Sequence, residues 1–376
     1  MMKKVLFVFG TRPEAIKMAP VIHEMRTESR RLRVRVCVTA QHRGMLDDVL
    51  RVFGIKADHD LNIMQDGQTL EHITEHVIAR VSPVLKKEKP DLVMVHGDTS
   101  TTFLTALAAF YQRIPIAHVE AGLRTYDFSQ PFPEEGNRRL CDALCSVHFP
   151  PTEQAKNNLL RENIPFSNIF VTGNTVIDAL EWSVDRPHRF GNPRLREMAE
   201  GAGKGARIVL VTAHRRENFG QPIRDICAAL RKAADSFEDV RIVYPVHPNP
   251  NVKSVAEKVL GGHRRILLLP PLDYLDFSHL IKRSYIVVTD SGGLQEEAPS
   301  LGKPVLVLRR VTERPEAVRS GTVRIVGTDA GKIYSEIARL LTDSRAYERM
   351  SDACNPYGDG HASRRTVNSV LYYFGM

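Results

Sequence analysis

Several kinds of chemistry find little to work with in this chain. Its 376 residues hold one tryptophan, Trp182, and aromatics make up 7%, so it lacks the run of stacking platforms that single-strand binders use. Its five cysteines, Cys37, Cys141, Cys145, Cys227 and Cys354, are an odd number without a C-x-x-C pair. Cys141 and Cys145 lie one helical turn apart with no histidine at metal spacing, so buried reduced thiols are expected and no metal site. No segment approaches the roughly 20 apolar residues of a membrane span. The start, MMKKVLFVFG, mimics a signal peptide, yet its apolar run of about five residues falls below the roughly 7–15 of an h-region. A buried first strand and a cytoplasmic protein are expected. Charge of one sign is also scarce: Lys+Arg 52 against Asp+Glu 44 leaves +8, spread along the chain. Nucleic acid and membrane are therefore not expected as partners, while a basic cleft for an acidic ligand stays open.

What is present is a regular alternation. Short apolar runs recur at Val5–Phe9, Val34–Thr39, Leu92–Val95, Ile114–Val119 and, more weakly, Ser146–Phe149. They recur again at Ile208–Thr212, Ile242–Val246, Ile266–Leu269, Ile286–Thr289, Val305–Leu308 and Val323–Val326. Helical patterns such as Glu14–Arg26 and Phe103–Tyr111 fill the gaps. Continuous rather than alternating apolar runs suit parallel strands covered on both faces. The pattern predicts α/β, doubly wound, as two Rossmann-like domains with ligands at the C-terminal strand ends. The polar stretch 185–205 reads as peripheral structure near the junction, with a hinge around Val171–Thr175.

The chemistry-bearing residues cluster just past strand ends. In Gly10-Thr11-Arg12-Pro13-Glu14, a capping box explains Thr11, Pro13 and Glu14. It leaves Arg12 and Lys17 as two cations at a helix opening, which suits an anion. No G-x-G-x-x-G follows this first strand, so a dinucleotide cofactor is not expected. Asp98 follows one strand and Glu120 another, and the two strands are expected to be neighbours. Glu134 and Glu135 open a helix after two prolines. Each acid also has a plainer reading, as an N-cap for Asp98 or as dipole complementation for Glu134 and Glu135. Their convergence on one cleft favours acid/base work. His214, followed by Arg215 and Arg216, points to phosphate contact. Ser291-Gly292-Gly293 precedes a helix, where glycines let a phosphate reach backbone N–H groups. Glu297 stands a turn further on, placed to accept from ribose hydroxyls. His247-Pro248-Asn249-Pro250 reads as a rigid turn.

With Gly10–Lys17, His96–Thr102, His118–Arg124, Pro133–Arg138, His214–Gly220, Asp290–Lys303 and Glu313–Glu316 in this order, the chain resembles the bacterial non-hydrolysing UDP-N-acetylglucosamine 2-epimerases along essentially its whole length. The resemblance implies a glycosyltransferase-B-like architecture, two Rossmann-like domains facing a central cleft. The N-terminal domain would span 1–170, joined by a last helix at about 364–376, and the UDP-binding domain 171–363. It implies interconversion of UDP-GlcNAc and UDP-ManNAc without a cofactor, by elimination of UDP to 2-acetamidoglucal and re-addition, supplying ManNAc or ManNAcA for cell-surface polysaccharide. Asp98, Glu120 and Glu134 become acid/base candidates, with the face each serves left open. His214 becomes the diphosphate contact that helps UDP leave, with Arg12, Lys17 and Ser291, Gly292 and Gly293. Arg138 would position Glu134 or the sugar, Phe277 would lie against uracil, Glu297 would hold the ribose, and Arg314 would be a further substrate contact. Leu272 stands where some relatives carry Gln, which puts a side-chain contact to uracil there in doubt. A homodimer and a second, activating UDP-GlcNAc near Gln41, His42 and Gln65 are also implied. A hydrolysing epimerase, a glycosyltransferase of the same architecture and a nucleotide-sugar sensor remain the rivals.

Overall fold

The computed structural model describes residues 2–40, 43–63, 65, 67–202 and 205–376. It resolves into two compact units: 1–179 with 357–376, and 180–356. Gln41 and His42 lie outside the described residues, and Gln65 is exposed.

The first unit is built on a parallel sheet of β1 (Lys3–Phe9), β2 (Leu32–Val38), β3 (His59–Asp60), β4 (Leu92–His96), β5 (Ile116–Val119) and β6 (Val147–Phe149), in the order β3-β2-β1-β4-β5-β6. The second unit carries β7 (Arg207–Thr212), β8 (Val240–Pro245), β9 (Ile266–Leu269), β10 (Ile286–Thr289), β11 (Val305–Val307) and β12 (Val323–Ile325), ordered β12-β11-β10-β7-β8-β9. Counted from each unit's own first strand, both sheets have the same Rossmann order, 3-2-1-4-5-6. The expected α/β class and the expected strands are therefore present. The two-residue β3 has no counterpart among the expected strands, because two polar residues carry no apolar run. The stretch 185–205 contains a helix, Pro193–Ala202.

Strand cores are completely apolar where both faces are covered: Val5–Phe9, Leu92–Val95 and Val209–Val211 are all 0% exposed. At roughly 25 cal/mol per Å2 of buried apolar surface, this burial outweighs the weak local preferences of such short segments. Pro13 sits in the first turn of the helix Arg12–Thr27 and Pro250 opens Pro250–Leu260, positions where a missing N–H costs nothing, whereas Pro20, Pro83 and Pro299 lie inside helices. The C-terminal helix Ala362–Tyr373 packs back onto Arg12–Thr27, inside the first unit. Its first N–H groups, from Ala362 and Ser363, are received by the buried carboxylate of Asp178. No helix among the described residues is long and apolar enough to cross a membrane.

Register places the strand ends side by side. His96 pairs with Val119 at the ends of β4 and β5, and Thr289 pairs with Thr212 at the ends of β10 and β7. The loop after β5 turns at Gly122, whose φ is +80° and where a Cβ would meet the Ala155 carbonyl oxygen at 2.3 Å. Backbone cannot yield as a flexible side chain can. Gly122→Ala is expected to destabilise the first unit by on the order of 3 kcal/mol or more in denaturant unfolding. A loss under about 1 kcal/mol would show that this turn rearranges freely.

Candidate active site

In the first unit, three loops at neighbouring strand ends carry the predicted acids. Glu14 organises the first of them. It is 2% exposed, and its Oε2 accepts from the N–H groups of Gly10 and Thr11 at 3.0 and 2.8 Å. Its Oε1 accepts from the hydroxyls of Thr99 and Thr102 at 2.7 and 3.0 Å. The capping carboxylate thus ties the β1 loop to the β4 loop across the point where strand order reverses, which is where open α/β sheets bind ligands.

Asp98 leaves β4 after Gly97. Its Oδ2 accepts from Arg138 Nη2 at 2.5 Å, and its backbone carbonyl accepts from Asn137 Nδ2 at 2.9 Å. Arg138 therefore holds Asp98. The helix that supplies both donors, Glu134–Leu144, also separates its two opening acids. Glu135 is 0% exposed and engaged by the N–H groups of Thr125 and Tyr126, each at 3.0 Å, and by Arg138 Nη1 at 3.3 Å. Glu134 is half-buried, and its carboxylate has no hydrogen-bond or ion-pair partner among the described residues. One acid of the pair is structural and the other is available for chemistry.

Glu120 ends β5 with φ +65°, a left-handed conformation uncommon for glutamate. The surroundings hold it there: its Oε2 receives the ammonium of Lys17 and, at 2.9 Å, Nδ2 of Asn174. Burial pushes its carboxyl up, but Lys17 and His96 outweigh burial and hold it well below the usual carboxylate range. Lys17 was expected beside Arg12 as a second cation for an anion; its charge is instead spent on Glu120. Arg12 is exposed in the first helical turn, with no ion-pair partner among the described residues. Asn174 is set by the returning C-terminal segment, since its N–H donates to the Tyr357 carbonyl at 2.6 Å.

Beneath these loops lies His118, 0% exposed, with Nδ1 at 2.6 Å from Asp142 Oδ1 and Nε2 at 2.8 Å from the Gly97 carbonyl. Arg124 completes the network through Asp142 and Glu162, both at 2.7 Å. The fold also brings His118 to Cys141 and Cys145, whose Sγ atoms lie 3.7 Å apart. Sequence spacing gave no sign of this approach, because His118 comes from a strand and the cysteines from a helix. Both ring nitrogens are already engaged, so the cluster offers an ion no imidazole lone pair.

In the second unit the organiser is Asp290. It is 0% exposed, and its Oδ2 accepts from the N–H groups of His214 and Arg215, each at 2.8 Å, and from Asn218 Nδ2 at 3.0 Å. This carboxylate clamps the β7 loop to the β10 loop, again at the point of strand reversal. It leaves the His214 ring exposed and stacked on His247 at 5.4 Å. In sequence His247 shows only as part of a rigid turn; the pairing of β7 with β8 brings it to His214.

After Asp290, Ser291 precedes the helix Gly292–Ser300. A Cβ on Gly292 would come within 2.8 Å of Glu313 Oε1, and one on Gly293 within 3.3 Å of Glu297 Oε1. Glycine makes room for these side chains at the helix opening, and the first N–H groups of the helix have no intrahelical acceptor. Burial and the charge of Glu297 push the Tyr274 phenol up, which puts Glu297 beside the helix Tyr274–Arg283 that carries half-buried Phe277. The arginines beyond β7 and β11 are mostly paired. Arg309 binds Glu217 at 2.9 Å and also Glu313, Arg215 binds Glu313 at 3.2 Å, and Arg314 binds buried Glu296. Arg216 and Arg310 are exposed. The strand-end cations are thus largely a scaffold of ion pairs around the glycine turn.

Each unit therefore presents loops pinned by a buried carboxylate at a Rossmann switch point. The first offers ionisable acids and the second a glycine-opened helix N-terminus with an exposed histidine. The family described as UDP-N-acetylglucosamine 2-epimerase matches residues 24–371. The chain is 54% identical over 372 residues to the UDP-N-acetylglucosamine 2-epimerase of Salmonella typhimurium, covering 98% of this chain and 99% of that one. It is 53% identical over 371 residues to the protein of the same name from Escherichia coli K12, covering 98% of each. It is also similar to the crystal structure of UDP-GlcNAc 2-epimerase from Neisseria meningitidis bound to UDP-GlcNAc. The TM-score is 0.86 at 49% identity, over 98% of this chain and 100% of that one.

Proposed function

Since this chain belongs to the UDP-N-acetylglucosamine 2-epimerase family, we propose that it epimerises UDP-GlcNAc at C2 to UDP-ManNAc, as an isomerase of the non-hydrolysing kind. The observation that carries this reading is the pair of acids at the ends of adjacent strands, Asp98 on Arg138 and Glu120 on Lys17. Available Glu134 joins them. The C2 proton has low acidity because its neighbour is an amide nitrogen and no carbonyl is adjacent. Elimination avoids a carbanion: a base takes the C2 proton while the C1–O bond breaks and UDP takes its electron pair. The C–H electrons form the double bond of 2-acetamidoglucal. Protonation from the other face and re-addition of UDP give the epimer. The route moves no net electrons and calls for no redox cofactor.

The second unit supplies what a departing diphosphate requires. The Gly292 and Gly293 N–H groups, Ser291 and the helix dipole accept its charge, and His214 adds a contact. Phe277 lies against the base, Glu297 holds the ribose, and Arg314, ion-paired with Glu296, contacts the substrate. Arg12 is a further phosphate ligand. Arg12→Ala is expected to weaken UDP binding by about 1–3 kcal/mol, the worth of a charge-assisted hydrogen bond, as read by calorimetry. Unchanged affinity would remove Arg12 from the site.

Proton NMR of UDP-GlcNAc with the protein in deuterated water tests the whole reading. UDP-ManNAc carrying deuterium at C2 is expected. Stoichiometric free UDP and ManNAc would mean a hydrolysing enzyme. No turnover with UDP-GlcNAc alone would mean a glycosyltransferase awaiting an acceptor, or a sensor. Activation by a second UDP-GlcNAc is tested by starting from UDP-ManNAc alone, where conversion is expected to lag until UDP-GlcNAc accumulates. A homodimer and supply of ManNAc or ManNAcA to cell-surface polysaccharide complete the reading.

A further inference from the structure

The last residue of β4, His96, has entered so far only as a neighbour that helps to lower the Glu120 carboxyl. It is 3% exposed, and neither ring nitrogen has a hydrogen-bond partner among the described residues. Buried polar atoms in native folds are normally satisfied, and an exception asks for a reason. The backbone is not at fault, since the His96 carbonyl accepts from the Thr102 hydroxyl at 2.5 Å. The ring itself is aimed at chemistry: Nε2 lies 3.8 Å from Glu120 Oε2, in ion-pair range and short of hydrogen-bond contact. That same oxygen carries Lys17 and Asn174.

This arrangement creates a difficulty for Glu120 that His96 resolves. Two donors on one oxygen favour the ionised carboxylate and make Glu120 a poor place for a proton to rest. A group that exchanges a proton with carbon must nevertheless hold one between the two halves of the reaction. We propose that His96 is the proton store for Glu120, and that it acts through Glu120 as a positioning residue without touching substrate. This rests on the epimerase reading. When Glu120 takes a proton from C2, the proton passes from the carboxyl oxygen to an open nitrogen of His96. Glu120 returns to carboxylate beside an imidazolium. When Glu120 delivers a proton, the same transfer runs backwards. No atom is gained or lost, and UDP keeps the electron pair of the broken C1–O bond throughout. The 3.8 Å gap closes by a small ring or carboxylate rotation, as apo catalytic contacts commonly do.

The charged groups around the ring fit the assignment. Lys17 comes from the helix Arg12–Thr27 and Glu120 from the end of β5. On the same helix as Lys17, Glu14 is saturated by its four donors. Two residues beyond His96, Asp98 is engaged by Arg138. Glu120 is therefore the proton partner within reach.

The test uses the full-length protein and its His96→Gln and His96→Asn variants, with rates of UDP-ManNAc formation measured against pH alongside KM and melting temperature. The expected result is a kcat lower by on the order of 10²-fold with KM near wild type, and one limb of the pH–rate profile displaced or lost. A uniform loss with an unchanged pH profile, or full activity, would overturn the proposal. Nitrogen NMR of wild-type protein labelled in its histidine rings provides a second reading that does not depend on the variants folding. The His96 ring is expected to change protonation across the pH range of turnover, and a ring fixed in one state would overturn the proposal. Wild-type protein that makes no UDP-ManNAc would instead bring down the epimerase reading itself.

Discussion

Asp98→Asn is expected to lower UDP-ManNAc formation by on the order of 10²–10⁴-fold, the range lost with a general acid or base. UDP affinity should stay close to that of the wild type. The asymmetry follows from where Asp98 sits. Its carboxylate meets Arg138 at 2.5 Å at the end of β4, and its backbone carbonyl, anchored by Asn137, is untouched by the substitution. Asparagine keeps the shape and can still accept from Arg138, so the loop should hold. What disappears is the capacity to take and return a proton. Parallel measurement of turnover and of UDP binding by calorimetry separates the outcomes. A variant that retains turnover but loses UDP would move Asp98 from the reacting sugar to the nucleotide.

Asp290→Ala should have the second large effect, this time on stability and binding together. One buried carboxylate oxygen receives two backbone N–H groups and an amide. Removing it strands three donors, each worth about 1–3 kcal/mol when buried and unpaired. Some will find water once the loop relaxes, so a loss of about 3–5 kcal/mol is the expected scale. Denaturant unfolding should show it in the transition of the second unit, with that of the first unit unmoved. UDP should bind at least tenfold more weakly, about 1.4 kcal/mol, because the His214 loop and the Gly292 turn lose their shared clamp. An unchanged unfolding midpoint would mean that strand pairing alone holds these loops.

The two residues mark the limit of what could be read in advance. Asp98 was visible because a strand, a glycine and an acid occur together, and a strand end is where α/β folds put chemistry. Asp290 was visible only as the residue before Ser-Gly-Gly, and its clamp was not, since His214 lies far away in sequence. The same holds for Glu14, a helix cap in sequence and a four-donor tie between loops in space. It holds for Lys17 too, expected to face an anion and found on Glu120. The choice between Glu134 and Glu135 could not be made from two adjacent glutamates. Burial made it, by saturating Glu135 and leaving Glu134 available.

Local information was enough wherever the determinant was local. Continuous apolar runs required parallel strands covered on both faces, and proline and glycine marked helix openings and turns. Ordered motifs along the whole chain pointed to the family. Tertiary structure decided the pairings: which carboxylates are ionised supports and which are available, that His118 meets two cysteines, that His247 stacks on His214, and that His96 faces Glu120. Charge and hydrogen bonding act across a few ångströms, and only strand register sets which distant residues come that close.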